Sequence, residues 1–552
     1  MTNYQFTGGT ICAPATIPGT GAISIIRVSG KESLAIADKV IDTKGVPIAE
    51  TEGYRLRYGT VFEADGSILD NVIVSVFRAP HSYTGENSVE ISCHASRFIV
   101  NKILELLVNA GARIAAPGEF TRRAFVNGKM DLAQAEAVAD VIASQSAASH
   151  RVAMNQLKGG FSSELKVLRE KLLTMTSLLE LELDFSEEDV EFASRKELGQ
   201  LVDDSLTHIG RLTASFSRGN AIKNGVPVAI VGATNTGKST LLNALLGEER
   251  AIVSDIAGTT RDTIEETLNI DGILFRFIDT AGIRETDETI EKIGIDRTFK
   301  KLGEAAVVLG MTDLSRGEAA VLEDADFILS KVNEMGGLKN VGSVIDGAET
   351  GGASPAETGG APLAGTDGAY LVETDGASQH GHGDGQERKV VILVNKCDVA
   401  GDFYRDDNGT GYGSGNDLGK NRAEIGGNKT VNHDNNIVSL IENKYNNCKV
   451  IPISAKTGKG LSTLTKTLGE IGSEITGSTD ETLVTNVRHY EALVRAASAL
   501  ERVRAGLHIA TLPPDLIAQD LREALYHLGE IVGEITTDET LGNIFRNFCI
   551  GK

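Results

Sequence analysis

Apolar positions recur along this chain in changing rhythms, and the changes divide it. Over residues 1–129 short apolar runs predict strands: Gly21-Ala-Ile-Ser-Ile-Ile-Arg-Val28, Tyr54-Arg-Leu-Arg-Tyr-Gly-Thr-Val61, Asn71-Val-Ile-Val-Ser-Val-Phe77 and Val89-Glu-Ile-Ser92. The stretches 31–41, 97–110 and 118–126 predict helices among them, so the first domain is α+β. From 130 to 222 the chain turns Ala- and Leu-rich. There Phe161, Leu165, Leu168, Leu172, Met175 and Leu179 step by four and three, laying one apolar stripe along a helix face. Residues 223–480 return to α/β character, with apolar runs at 226–231, 274–278, 390–394 and 449–453 that read as buried strands. From 481 to 552 helical spacing resumes, over Arg488–Leu507 and again after Pro513-Pro514-Asp515, where Leu516, Leu521, Leu525 and Leu528 fall on or near one side. Helices before and after the α/β stretch predict one all-α domain, discontinuous in sequence, with the α/β domain inserted into it. The apolar end, Ile544-Phe-Arg-Asn-Phe-Cys-Ile-Gly-Lys552, is expected to dock rather than fray.

The chemistry sits at the ends of the α/β strands. Gly232-Ala-Thr-Asn-Thr-Gly-Lys-Ser239 fits G-x-x-x-x-G-K-S/T, with a strand before it and a helix, from Thr240, after it. Glycines there let backbone N–H groups curl around phosphate, and the helix N-terminus adds partial positive charge. Asn235, Thr236 and Gly237 would line the loop, Lys238 would reach the β/γ-phosphates, and the Ser239 hydroxyl would sit on Mg²⁺. Asp279-Thr280-Ala281-Gly282 places a carboxylate near the metal's water shell and a glycine N–H near the γ-phosphate. Asn395-Lys396-Cys397-Asp398 offers a carboxylate that accepts from guanine N1–H and the 2-amino group, a pair adenine lacks. Ser454-Ala455-Lys456 would back the base. Four such motifs in order, each closing a strand, predict a P-loop guanine-nucleotide domain of Ras-like type.

Composition narrows the rest. The 552 residues allow about three domains, and no apolar run reaches membrane-spanning length. Five scattered cysteines, at 12, 93, 397, 448 and 549, have no paired spacing, which points to a reducing compartment without a disulfide framework. The net charge of −22 disfavours a broadly basic nucleic-acid surface while allowing a local patch. Two stretches, 341–388 and 401–437, supply −9 of it, are poor in apolar residues, and are read as solvated acidic inserts in the nucleotide domain.

Ser254-Asp255-Ile256-Ala257-Gly258-Thr259-Thr260 lies between the phosphate loop and Asp279, where a threonine can sense the γ-phosphate through Mg²⁺. In many GTPases a glutamine follows the Asp-x-x-Gly glycine and orients water. Here Ile283 stands there, so another group must serve. No arginine finger is identifiable, and a finger is worth about 10³–10⁵ in rate, roughly 4–7 kcal/mol of barrier.

Taken together, the domain order, the four motifs, Pro117-Gly-Glu-Phe120, Lys129-Met-Asp-Leu-Ala-Gln-Ala-Glu136, Ile256-Ala-Gly-Thr-Thr-Arg-Asp262 and the terminal Phe548-Cys-Ile-Gly-Lys552 resemble the MnmE (TrmE) family of bacterial tRNA-modification GTPases. The resemblance implies a cytoplasmic homodimer that joins an FAD-dependent MnmG-type partner in a heterotetramer. Together they would modify C5 of the wobble uridine of certain tRNAs with an aminomethyl-type group. It implies Mg²⁺ on Ser239 and Thr260. It implies K⁺ in place of the arginine finger, on Asn235, the backbone of Ser254 and Ile256, and Thr259, and Glu291 as the acid that orients water. It implies that the first domain is similar to folate-dependent one-carbon enzymes and takes a 5-formyltetrahydrofolate-type cofactor through Arg27, Glu90, Lys129 and Lys552. It makes Cys549 the C-terminal cysteine important for modification. One departure stands out: Cys93-His94-Ala95-Ser96 replaces a Gly-His-Gly-Gly run, which alters the pocket if close backbone approach needs those glycines. The rival reading is a GTP-switched ribosome-assembly or binding factor with no base chemistry.

Overall fold

The computed structural model describes residues 8–184, 194–249, 266–278, 305–334, 388–398, 437–445, 448–477, 481–507, 513–546, 548 and 551. They form two units. One comprises residues 1–223 with 476–552, and the other residues 224–475. Apart from Arg388 and Ile437, both acidic stretches lie outside the described residues.

The first unit opens with a seven-stranded sheet: β1 (Ile11–Pro14), β2 (Ile23–Ser29), β3 (Ile41–Asp42), β4 (Arg55–Phe62), β5 (Ile68–Phe77), β6 (Ser88–His94) and β7 (Arg113–Ile114). The spatial order is β3-β4-β5-β6-β2-β1-β7, antiparallel except where β7 joins β1. Alternation sorts the faces, because successive side chains of a strand point to opposite sides. Ile26, Val28, Val74, Val76 and Ile91 are buried with Leu34 and Ile36 of helix Ser33–Val40 and Ile103 and Leu107 of helix Arg97–Asn109. On the opposite face Leu56, Tyr58 and Ile73 are exposed.

Helices Leu132–Ala143, Ala147–Leu157, Gly160–Asp184, Arg195–Ala214 and Phe216–Asn224 follow, and Val487–Leu507, Pro514–Val532 and Asp538–Arg546 complete the unit. The stripe expected between 161 and 179 is inside: Phe161, Leu165, Leu168, Leu172 and Leu179 are buried with Leu493, Leu500, Leu521, Leu525 and Leu528 of the returning chain. Leu516 is off that stripe and exposed, because it sits before the buried Ile517-Ala518 pair on the wheel. The returning segment is also stitched by polar groups. Gln156 donates to the Leu483 carbonyl and Thr485 hydroxyl at 3.1 Å each, and the Val484 N–H donates to Ser215 Oγ at 3.1 Å. Gly219 permits this approach, since a Cβ there would meet the Val484 carbonyl oxygen. The apolar C-terminus docks as expected: Leu541 and Phe545 are buried against Leu132 and Ala135, with Phe548 packed beside them.

At the centre of this closure lies a buried charge cluster. Arg488 donates from Nε and Nη2 to the two Glu136 oxygens at 2.9 Å, and His489 Nε2 lies 2.7 Å from Glu136 Oε2. Burial opposes charge on Glu136, but His489 and Arg488 outweigh it and hold the carboxyl at about 2, against 4.5 ordinarily. Burial pushes the His489 ring below its ordinary 6.5.

The second unit is an open sheet of β8 (Val226–Gly232), β9 (Glu266–Ile270), β10 (Ile273–Ile278), β11 (Val307–Asp313), β12 (Lys389–Asn395) and β13 (Cys448–Pro452), in the order β13-β12-β11-β8-β10-β9. All pairs are parallel except β9 with β10. Every residue of β11 is buried, as parallel strands covered on both faces require. From β8 the chain goes to β9 and β10 on one side, then to β11 on the other. β8 is therefore the switch point of the sheet, outside whose strand ends ligands bind in such folds.

Two outcomes follow from the Glu136 cluster. Glu136→Ala leaves Arg488 facing a void and should cost about 3–5 kcal/mol in urea unfolding of the full chain followed by helical circular dichroism; an unchanged midpoint would contradict the assignment. The folded carboxyl takes its proton later than the unfolded one. Its stabilisation is therefore complete above pH 4.5 and is lost as the pH falls toward 2. His489, lowered as well, adds loss in the same direction below 6.5. In Glu136→Gln, stability should fall less steeply across the lower window than in the parent.

Candidate functional site

β8 delivers the chain into a glycine loop because its buried run ends at Gly232. At Gly237 the backbone has φ +99°, and a Cβ would collide with the Asn395 amide nitrogen, so only glycine fits. Asn235 is left-handed at φ +63°, which asparagine tolerates better than most residues. Thr236 is buried and donates from Oγ1 to the Ala233 carbonyl at 2.9 Å, closing the loop on itself. Helix Lys238–Glu249 then starts, with its N-terminal N–H groups at the loop. Lys238 folds back, donating to the Gly232 and Ala233 carbonyls at 2.9 and 2.8 Å. Burial lowers its pKa, and it pairs with no carboxylate of the described residues. A desolvated ammonium at a helix N-terminus, with no counter-charge among the described residues, fits an anionic ligand. Ser239 is half-buried and Thr240 exposed, both in the helix's first turn. The Asn235 side chain is exposed and makes no hydrogen bond to a described residue, leaving a carbonyl oxygen available to a cation.

One amide ties this loop to the two at its side. Asn395, 3% exposed at the end of β12, donates from Nδ2 to the Thr236 carbonyl at 2.7 Å and accepts from the Ala455 N–H at 3.0 Å. Ser454 is buried and its Oγ accepts from Thr457 N–H at 3.2 Å, holding the 454–458 turn tight. Asp398 and Lys456 are both exposed on these loops. Cys397, between the motif's polar residues, donates to the Val394 carbonyl, and burial pushes its thiol up to about 11.

Lys396 has φ +64°, unusual for a lysine. Its Nζ donates to Oδ2 of Asp313 at 2.6 Å. Asp313 ends β11 in register with Asn395 on β12. Sequence reasoning missed β11 and this carboxylate. The signal was present, because Ala306-Val-Val-Leu-Gly-Met311 is an apolar run closed by a polar pair, like the four strands that were read.

The other residues expected at the nucleotide site, Ser254, Asp255, Ile256, Ala257, Gly258, Thr259, Thr260, Asp279, Thr280, Ala281, Gly282 and Glu291, lie outside the described residues, as do Cys549 and Lys552. Among the described residues no cluster of three or more His, Cys, Asp or Glu is arranged to hold a metal.

In the first unit Arg27 and Glu90 are direct partners across β2 and β6, with Arg27 Nε donating to Glu90 Oε1 at 2.9 Å. The guanidinium lies 5.0 Å from the Tyr83 ring centroid and 5.6 Å from that of Phe120. Lys129 is exposed and donates instead to the Pro80 carbonyl at 3.1 Å. In the altered run, Cys93 is buried with its thiol raised by burial to about 11, while exposed His94 lies with Nδ1 2.7 Å from the buried Asp70 carboxylate.

The family model described as MnmE helical domain matches residues 132–549, and that described as GTP-binding protein TrmE N-terminus matches residues 10–129. The tRNA modification GTPase MnmE of Parabacteroides distasonis is 45% identical over 546 residues, covering 98% of this chain and 100% of that one. The protein of the same name from Bacteroides thetaiotaomicron is 44% identical over 548 residues, covering 98% and 99%. That from Porphyromonas gingivalis is 42% identical over 554 residues, covering 100% and 99%. With both family models matched and relatives aligned from end to end, this chain belongs to the MnmE (TrmE) family of tRNA modification GTPases.

Proposed function

We propose that the chain binds and hydrolyses GTP and couples the hydrolysis to modification of the wobble uridine of certain tRNAs. The observation that carries this reading is the convergence at one end of the parallel sheet. The Lys238 ammonium, which has no carboxylate partner among the described residues, and a helix N-terminus stand beside the loop of Asp398, and Asn395 clamps both loops. Phosphates would take the Gly232–Ser239 loop and guanine would take Asp398, with Ser454, Ala455 and Lys456 behind it. Mg²⁺ on Ser239 and Thr260 would neutralise phosphate charge. K⁺ on Asn235, Thr259 and the backbone of Ser254 and Ile256 would supply the positive charge that an arginine finger supplies elsewhere. Glu291 would orient the water that Ile283 cannot. The contacts of Asp255, Ala257, Gly258, Asp279, Thr280, Ala281 and Gly282 with the nucleotide belong to the same reading.

The first unit would serve the one-carbon chemistry. The half-buried Arg27–Glu90 pair beside two aromatic rings suits a flat, hydrogen-bonding heterocycle such as the pterin of a 5-formyltetrahydrofolate-type cofactor, for which Lys129 and Lys552 would be further contacts. The open sheet face, with Leu56 and Tyr58 each 67% exposed, supports pairing with a second copy. With an FAD-dependent MnmG-type partner the dimer would install a carboxymethylaminomethyl or aminomethyl group on C5, with Cys549 taking part. Among the described residues no helix is long and apolar enough to cross a membrane, and we place the protein in the cytoplasm on its family.

GTP turnover should be several times faster in K⁺ than in Na⁺ at equal ionic strength, and its specific rate should rise with protein concentration; equal rates in both salts would remove the cation mechanism. Wobble nucleosides from cells lacking the gene should lose the modification; an unchanged profile would leave the GTP-switched binding factor instead. Asp398→Asn removes a charge-assisted acceptor worth about 1.5–3 kcal/mol per bond, so GDP affinity should fall roughly 10- to 100-fold in calorimetry. Xanthosine diphosphate, which carries a carbonyl where guanine has its amino group, should bind the variant better than the parent.

A further inference from the structure

We infer that Asp313 is a positioning residue for the purine: it pins the Lys396 ammonium, so that the lysine's methylene stem is held as a fixed wall of the base slot. The inference rests on the guanine-nucleotide reading given above.

Three observations carry it. Asp313 is 4% exposed at the end of a strand buried along its whole length, a place where an isolated carboxylate is costly. Its two oxygens are divided. Oδ1 accepts from the Ser315 N–H at 3.0 Å and from the Ser315 hydroxyl at 2.6 Å, while Oδ2 is left to the Lys396 ammonium at 2.6 Å. Lys396 holds a left-handed backbone conformation, which persists only where its surroundings determine it. Those surroundings are the Asn395 clamp on one side and Asp313 on the other.

The consequence is a constraint on a side chain that otherwise has four free torsions. Lys396 sits between Asn395, which holds the phosphate loop, and Asp398, which would read the base. A lysine free to sample its rotamers loses that freedom when a nucleotide arrives, and a lysine already tied down does not. The carboxylate therefore acts on affinity without touching the ligand. A different role is available to the same residue, because Asp313 also caps the short turn Leu314–Arg316 through Ser315. A cap alone would affect nucleotide binding whether or not Lys396 were present.

The experiment is a double-mutant cycle on the full-length protein, read as the dissociation constant for GDP with Mg²⁺ by calorimetry, using Asp313→Asn, Lys396→Ala and the two combined. Asparagine keeps the size and can still accept from Ser315. We expect Asp313→Asn to weaken GDP about tenfold, the equivalent of one side chain's rotamer freedom. In the Lys396→Ala background the same change should have no further effect. Equal affinity of parent and Asp313→Asn, or losses that multiply in the double variant, would overturn the inference and leave Asp313 a turn cap. Lys396→Met, which keeps the stem but gives up the ammonium, should weaken GDP as Asp313→Asn does; retention of parental affinity would also overturn it. If the parent itself fails to bind GDP, the guanine-nucleotide reading falls, and this inference with it.

Discussion

The first unit depends on one buried charge. Glu136 lies on the first helix after the sheet domain, and its partner Arg488 is 352 residues away. A carboxylate in that position is unfavourable by itself. It is tolerated because a guanidinium meets both of its oxygens and an imidazole meets one of them, while Arg488 spends its other donors on the Glu530 and Ile531 carbonyls. The arrangement joins three helical segments, Leu132–Ala143, Val487–Leu507 and Pro514–Val532. A chain that departs for some 250 residues and returns needs such a mark, since apolar stripes alone permit several registers of helix on helix. Gly219 against the Val484 carbonyl, and Gln156 on Leu483 and Thr485, set the re-entry point to the residue.

The nucleotide unit uses the same economy on a smaller scale. Asn395 has one donor group and one acceptor directed to separate loops, so a single side chain braces the Thr236 loop against the Ala455 turn. Gly237 allows this because the amide nitrogen occupies the space a Cβ would take. Lys238 and Lys396 then differ in kind. The first has no carboxylate partner among the described residues and is suited to meet phosphate. The second is already paired with Asp313 and is suited to hold a shape.

In the sheet domain the Arg27–Glu90 pair was legible only as two unusual residues in apolar strands. Their meeting follows from register, since Arg27 on β2 falls opposite Glu90 on β6. The altered run at 93–96 divides in the same way. Cys93 points into the core and His94, the residue the two runs share, out of it, where Asp70 meets one ring nitrogen, so of this pair only Cys93 adds bulk, on the core side.

What the sequence determined by itself were the features with short-range causes. Period-two runs became β2, β4, β5 and β6 within a few residues. The four-and-three stripe from Phe161 to Leu179 became a buried helix face, and the Pro513-Pro514 start and the glycine-rich loop fell where local backbone preferences put them. Sequence also named the chemistry of the nucleotide motifs, because their spacing is itself the geometry. Tertiary structure decided what depends on partners far along the chain. It made Glu136 a buried ion rather than a surface acid, turned Asn395 into a brace between loops, and set Asp313 beside Lys396 through the pairing of β11 with β12. The physical reason is that an apolar residue carries its preference for the interior wherever the chain goes. A buried charged side chain such as Glu136 or Asp313 is settled only when a distant segment supplies the opposite charge.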